Sequence, residues 1–470
     1  MCVRYLKSYV LLLEKKMKVK VLCRNPEDYV RETKKDIYKV PRNYDPTLHP
    51  LEVPREYTRA LNATKLERVF AKPFIGNLEG HKDGVQCLCK HPTQLSVLFS
   101  GSCDGEIKIW NLSHRKCLQT QLAHDGFVRG ICTNQTGSMY YSCGADKIVK
   151  HWKYDIEAQS DVLNSGSSKS IFVPVQTIVG KTFYTSIDHH WKKPLYATSG
   201  EKVDIWDETR LEPLQSYTWG VDSHSSIKFN PIECSLLAST ASDRSIILYD
   251  MRQSVPLRKI VLEMNSNAIC WNPLEAMIFT VANEDYNLYT FDMRNLKQHL
   301  QVHMDHVGAV INVDYSPTGK EIVSSSYDKT IRIFQIQSGH SRDVYHTKRM
   351  QHVISCKWSL DDKYLISASD ETNIRVWKAH SAEKLGLLKP REREQLQYGD
   401  KLKEKFKHYP EIKRIKRHRH LPKQIYNAQQ EIRKMKSSRK RKEANRRLNS
   451  KVGTVPFVSE KKKHVIDEVE

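Results

Sequence analysis

Between residues 66 and 390 apolar and polar positions alternate in short runs, and each run ends on an aromatic side chain. In chain order the runs are "SCDGEIKIW", "GADKIVKHW", "SGEKVDIW", "ASDRSIILY", "NEDYNLYTF", "SYDKTIRIF" and "SDETNIRVW". Their last residues are Trp110, Trp152, Trp206, Tyr249, Phe291, Phe334 and Trp377, at intervals of 42, 54, 43, 42, 43 and 43. A period near 43 with strand-like alternation in every copy predicts a β-propeller, not a helical solenoid. Seven copies predict seven blades. The one long interval holds "AQSDVLNSGSSKS", which is polar and Ser-rich and reads as a loop insertion.

Asp104, Asp146, Asp243, Asp285 and Asp328 each stand six residues before the aromatic. That places them in the turn entering the strand, where a carboxylate accepts hydrogen bonds from nearby donors. His81 lies 29 residues before Trp110, while His124 and His306 lie 28 before Trp152 and Phe334. Such a His can join the turn Asp, a Ser and the strand Trp in one polar network. The pattern resembles the WD-repeat family, whose blades carry this network. Seven copies of one turn are architecture, so these His and Asp residues are assigned structural roles. Two copies depart, with Gly200 at the Asp position in the third and Glu371, preceded by Asp370, in the seventh. "DHHW" (Asp188 to Trp191) falls in the third copy and is read as blade structure. Two segments compete to close the ring, "LERVFAKPFIGNL" before His81 and "EKLGLL" after Trp377, and the pattern does not choose between them.

Outside the repeat the pattern changes. Residues 17–65 carry prolines at 41, 46, 50 and 54 and tyrosines at 29, 38, 44 and 57 among Arg and Lys, which reads as an extended arm. Either it meets RNA by charge and stacking, or it packs on the propeller or a neighbouring protein. After residue 390 the chain is charged and helix-prone up to Pro410, and "EIKRIKRHRH" follows. Pro422 then opens a predicted helix in which Ile425, Ala428, Ile432 and Met435 recur at spacings of 3, 4 and 3. So narrow a stripe is read as a helix ordered on a partner. The expected organisation is a dispensable extension (1–16), an arm (17–65), a propeller (66–390) and a basic helical tail (391–470).

Charge sharpens this division. The 470-residue chain has a formal net charge of +22. Residues 66–400 hold 38 basic and 38 acidic side chains, whereas 401–450 hold 19 against 4 and 1–65 hold 15 against 8. Positive charge gathered at the two ends of a neutral middle points to a polyanionic partner. The residues assigned to RNA or partner contact are Lys413, Arg414, Lys416, Arg417, Arg419, Lys423, Arg433, Lys434, Lys436, Arg439, Lys440, Arg441 and Lys442. "HRH" (His418 to His420) sits among so many cations that phosphate contact is expected there in preference to metal.

The chain has 11 cysteines and no CxxC pair, so buried reduced thiols are expected, as in a cytosolic or nuclear protein. The apolar run "YVLLL" near the N-terminus is too short for a signal-peptide core or a bilayer span. No Gly-rich phosphate loop, metal-ligand spacing or nucleophile motif is present, which argues against an enzyme; no cofactor and no metal are assigned.

Taken with the propeller, the arm "NPEDYVRETKKDIYKVPRNYDP" and the tail "KLKEKFKHYPEIKRIKRHRHLPKQIY" resemble the family of WD-repeat proteins with a SOF domain, from Met17 to the C-terminus. The resemblance implies a non-catalytic scaffold of the small-subunit processome in the nucleolus. Its partners would be pre-rRNA, a box C/D small nucleolar RNP and processome proteins, and its role early pre-rRNA cleavage toward the small subunit. The SOF tail, here roughly 379–465, would serve nucleolar placement. A second role is implied in animals, as substrate receptor of a cullin-RING ubiquitin ligase. Its carriers would be "YDMR" and "FDMR", whose Arg252 and Arg294 would contact the ligase adaptor, although Tyr and Phe replace the Trp of the usual box.

Overall fold

The computed structural model describes residues 45–154, 173–220, 222–451 and 453–469. The N-terminal extension, the arm up to residue 44 and the Ser-rich insertion lie outside the described residues. Seven antiparallel sheets account for the repeat, six of four strands and one of five. Blades 1 to 6 span 85–122, 128–179, 186–217, 224–262, 266–303 and 310–345. Blade 7 contributes three strands between Val353 and Lys378. Its fourth strand is Phe74–Leu78, from before the first repeat, paired with Ile374–Lys378 at Gly76↔Val376 and Leu78↔Ile374. The N-terminal candidate therefore closes the ring, and "EKLGLL" forms no strand. The innermost strand of each blade packs on that of the next, and blade 7 on blade 1.

Large side chains sit between blades. Trp110 of blade 1 packs with Leu78, Ile366 and Ile374 of blade 7, while Ile246 and Leu248 of blade 4 share a cluster with Phe279 and Phe291 of blade 5. Burying an aromatic between two sheets removes its whole surface from water, which is why each copy keeps one. The thiols follow the same logic. Cys132, Cys143 and Cys356 are free and buried, and burial pushes Cys143 and Cys356 up to about 12.

The flanks divide differently from the expected boundaries. A helical unit combines α1 (Glu52–Val69), α2 (Pro390–Lys405) and α3 (Pro410–Arg417). The arm is thus helical from Glu52, not extended to residue 65. Pro54 is tolerated because it falls in the first turn, where its missing N–H would have had no helical partner. Ala60, Leu402, Phe406 and Ile412 form the core of this unit, with Tyr57 against the Phe406 and Tyr409 rings. The Tyr57 hydroxyl donates to Glu411 at 2.7 Å, and Lys405 pairs with Glu56 at 2.6 Å. The arm's last tyrosine and the tail's first helices fold on each other, an arrangement neither reading of the arm had included. Residues 419–469 group with the propeller instead. They form α4 (Lys423–Leu448), and the final strand Val465–Val469 joins the outer edge of blade 4 beside Arg258–Leu262.

Candidate nucleic-acid and partner interface

The repeated His and Asp residues differ from blade to blade in the contacts they make. In blade 2, His124 meets Asp146 at 2.9 Å and Ser142 Oγ at 2.8 Å, and Trp152 Nε1 donates to the same Oγ at 2.9 Å. Blade 6 repeats the first two links, His306 to Asp328 at 2.8 Å and to Ser324 Oγ at 2.7 Å, and ends on Phe334, which has no donor. Burial holds both histidines below their ordinary pKa, with the aspartates opposing. Blade 1 keeps His81 to Ser100 Oγ (2.6 Å) and Trp110 Nε1 to Ser100 Oγ (2.7 Å), but Asp104 turns to Ser102 and leaves His81 Nδ1 without a hydrogen bond. Asp243 caps Ser245 and pairs with Lys259, and Asp285 accepts from Asn287 and Tyr289. In blade 7 Glu371 pairs with Arg375. His224 was missed because it sits within its strand, 25 residues before Tyr249; both side chains meet Ser239 Oγ, at 3.1 and 3.0 Å.

His81, Asp104 and Glu106 place one possible metal-ligand atom each within 4.8 Å of one another. The two oxygens of Glu106 are held by Lys82 at 3.1 Å and Lys108 at 3.2 Å. Two ammonium groups on the carboxylate disfavour a divalent cation, and the trio is blade 1's version of the shared network. "DHHW" is also structural. Asp188 accepts from Phe229 N–H at 2.9 Å and pairs with Lys228, His189 meets Glu208 at 2.8 Å, and His190 donates to the Cys234 carbonyl at 2.7 Å.

The basic residues are carried by both units. Lys413, Arg414, Lys416 and Arg417 are exposed on α3, whose Ile412 is buried. Lys423, Arg433, Lys434, Lys436, Arg439, Lys440, Arg441 and Lys442 are exposed on α4. Arg419 departs from the expectation. It is largely buried and pairs with the buried Asp343 of blade 6 at 3.6 Å, while His346 donates to the His420 carbonyl at 3.2 Å. The "HRH" segment thus anchors the tail on blade 6, where a buried carboxylate outcompetes solvent for the guanidinium. In α4, Ile425, Ala428 and Ile432 are half-buried, whereas Met435 is 53 % exposed. The apolar stripe is therefore partly covered for its first turns and bare thereafter.

Beyond α4 the chain doubles back. Lys440 pairs with Glu460 at 3.1 Å, Lys463 with Glu443 at 2.9 Å, and the Arg447 guanidinium lies 4.8 Å from the Phe457 ring centre. His464 meets Glu263 at 3.2 Å, and the last strand pairs Lys259↔Val469, Ile260↔Glu468 and Val261↔Asp467. Sequence reading missed this strand. "VIDEV" gives no local signal, since two apolar residues are followed by two acidic ones.

Arg252 and Arg294 occupy matching turns after the third strands of blades 4 and 5. Arg294 is drawn onto its own Asp292, Nη2 to Oδ2 at 2.8 Å. Arg252 is exposed, and only its backbone N–H meets Asp250, at 3.0 Å.

Comparison with known proteins bears on both ends of the chain. The Sof1-like domain matches residues 379–465, and the WD domain, G-beta repeat, matches 72–111, 115–153, 296–335 and 337–378. "DDB1- and CUL4-associated factor 13" of Xenopus tropicalis is 61% identical over 454 residues, covering 97% of this chain and 100% of that protein. The human protein of that name is 62% identical over 450 residues, 96% of this chain and 99% of its own length. "Protein SOF1" of Saccharomyces cerevisiae is 47% identical over 469 residues, 96% and 95%.

Proposed function

Because this chain belongs to the family of WD-repeat proteins with a Sof1-like domain, we propose that it is a non-catalytic scaffold of the small-subunit processome, acting in the nucleolus in early pre-rRNA processing. The observation that carries this reading is the division of labour in the molecule. The strands of the neutral repeat close into a ring, and the repeated His, Asp and Trp side chains of its best-formed turns bond to one another within their own blade. The excess positive charge of the tail is carried on exposed faces of α3 and α4. A ring of loops offers surfaces to proteins, and clustered cations offer counterion release to an RNA backbone. Pre-rRNA and a box C/D small nucleolar RNP are the polyanions proposed.

Excision of α4 alone (423–448) is the appropriate test, since a cut from 401 would also remove Leu402, Phe406 and Ile412 from the helical core. Loss of nucleolar concentration and accumulation of uncleaved pre-rRNA are expected. Normal localisation together with normal precursors would overturn the proposal.

A second reading, receptor of a cullin-RING ligase, is supported by the vertebrate relatives' name, which states association with DDB1 and CUL4. On this chain it rests on Arg252, whose exposed guanidinium is available to a carboxylate of the adaptor.

A further inference from the structure

The cations of α4 are not equivalent, and the returning chain sorts them. At 3.6 residues per turn, side chains three and four apart share a face. Lys440, Glu443 and Arg447 form one such face, and all three are engaged by the segment that follows the helix, through Glu460, Lys463 and Phe457. Towards the N-terminus this side continues into the half-buried Ile425 and the buried Gln429. One residue round the helix, about 100° away, stand Arg439, Lys442 and Arg446. All three are exposed, and none makes an ion pair among the described residues.

From this sorting we infer that Arg439, Lys442 and Arg446 form the phosphate-contacting face of α4, which lies along an RNA backbone while the contacts about 100° round hold the helix to the returning segment. The inference rests on the scaffold reading above and specifies which side of the helix meets RNA. Three cations follow one another at single-turn spacing over about 10 Å of helix axis. The neighbouring exposed apolar side chains are sparse: Met435 at the head and Leu448 beyond the end. A protein partner of comparable strength would require apolar or aromatic anchors at the centre of its contact. A phosphodiester chain requires only charge and donors, which this face supplies. Arginine at two of the three positions also suits bidentate contact with phosphate oxygens.

The test compares two triple variants of the full chain that lose the same net charge. One carries Arg439→Ala, Lys442→Ala and Arg446→Ala. The other carries Lys147→Ala, Lys181→Ala and Lys202→Ala, exposed cations of blades 2 and 3. Binding to a structured RNA hairpin is measured across a salt series, with circular dichroism verifying unchanged helix content. The face variant should bind at least about ten-fold more weakly, with the slope of log K against log salt reduced by about 3. The blade variant should keep the parental slope. Equal loss in both variants would reduce the effect to net charge and overturn the assignment. So would a polyglutamate peptide that competes as well as the RNA. An unaffected face variant, set beside RNA binding that vanishes when α4 is excised, would refute the face and leave the scaffold reading standing; RNA binding absent from the parent chain would count against both.

Discussion

At the scale of single residues, burial holds several propeller histidines below their ordinary pKa, and this has a consequence for stability. Burial pushes His81, His151, His224, His299 and His303 down to about 4. Their unfolded value is near 6.5. The unfolded chain therefore binds more protons between these limits. The stability these groups contribute is whole above about pH 6.5 and is lost as the pH falls toward 4. We expect the melting temperature to drop by ~10 °C between pH 7.5 and pH 5, and a flat profile would show that their burial is not coupled to folding. His124 and His306 contribute less to this effect, because Asp146 and Asp328 favour their protonated forms. A second residue-scale contrast separates the two turn arginines. Arg294 must first leave Asp292 before it can serve a partner, whereas Arg252 need not. Arg252→Ala should abolish capture of the ligase adaptor in pull-downs and Arg294→Ala should weaken it less; full capture by the Arg252 variant would remove the basis of the receptor reading on this chain.

At the scale of elements, what could be read in advance followed from repetition. A single run such as "SYDKTIRIF" is compatible with many strands, but seven at a near-constant spacing define blades, and the structure finds every one. The network of His124, Ser142, Asp146 and Trp152 was equally legible, because its members sit at fixed offsets. Elements that depend on a distant partner were not. Phe74–Leu78 and "EKLGLL" carry similar local patterns, and only pairing with Ile374–Lys378 distinguishes them. Residues 465–469 run apolar, apolar, acidic, acidic, apolar with no alternation, and their strand character comes from the open edge of blade 4. The prolines of the arm signalled an extended chain, yet Pro54 at the third position of α1 is compatible with a helix, and the core that stabilises α1 lies more than 330 residues away in sequence. Arg419 was read with its basic neighbours because nothing local marks Asp343 as its counter-charge.

Over the whole molecule, function follows from where charge is and is not neutralised. Residues 66–400 hold equal numbers of acidic and basic side chains, and many of these are paired within or between blades, as in Lys357 with Asp314 and Arg342 with Glu321. The tail keeps its charge exposed on a helix that the chain itself fixes by Arg419 at one end and the 465–469 strand at the other. A prefixed helix loses less conformational entropy on meeting RNA than one ordered only by its partner. The central claim is that this chain scaffolds pre-ribosomal RNA through its basic tail. Its most direct test is ultraviolet crosslinking of the full-length protein in purified small-subunit precursors, with the adducts mapped to residues by mass spectrometry. RNA adducts should concentrate on α4 between Arg433 and Arg447; a protein that enters those particles but carries no RNA adduct on its tail would contradict the account.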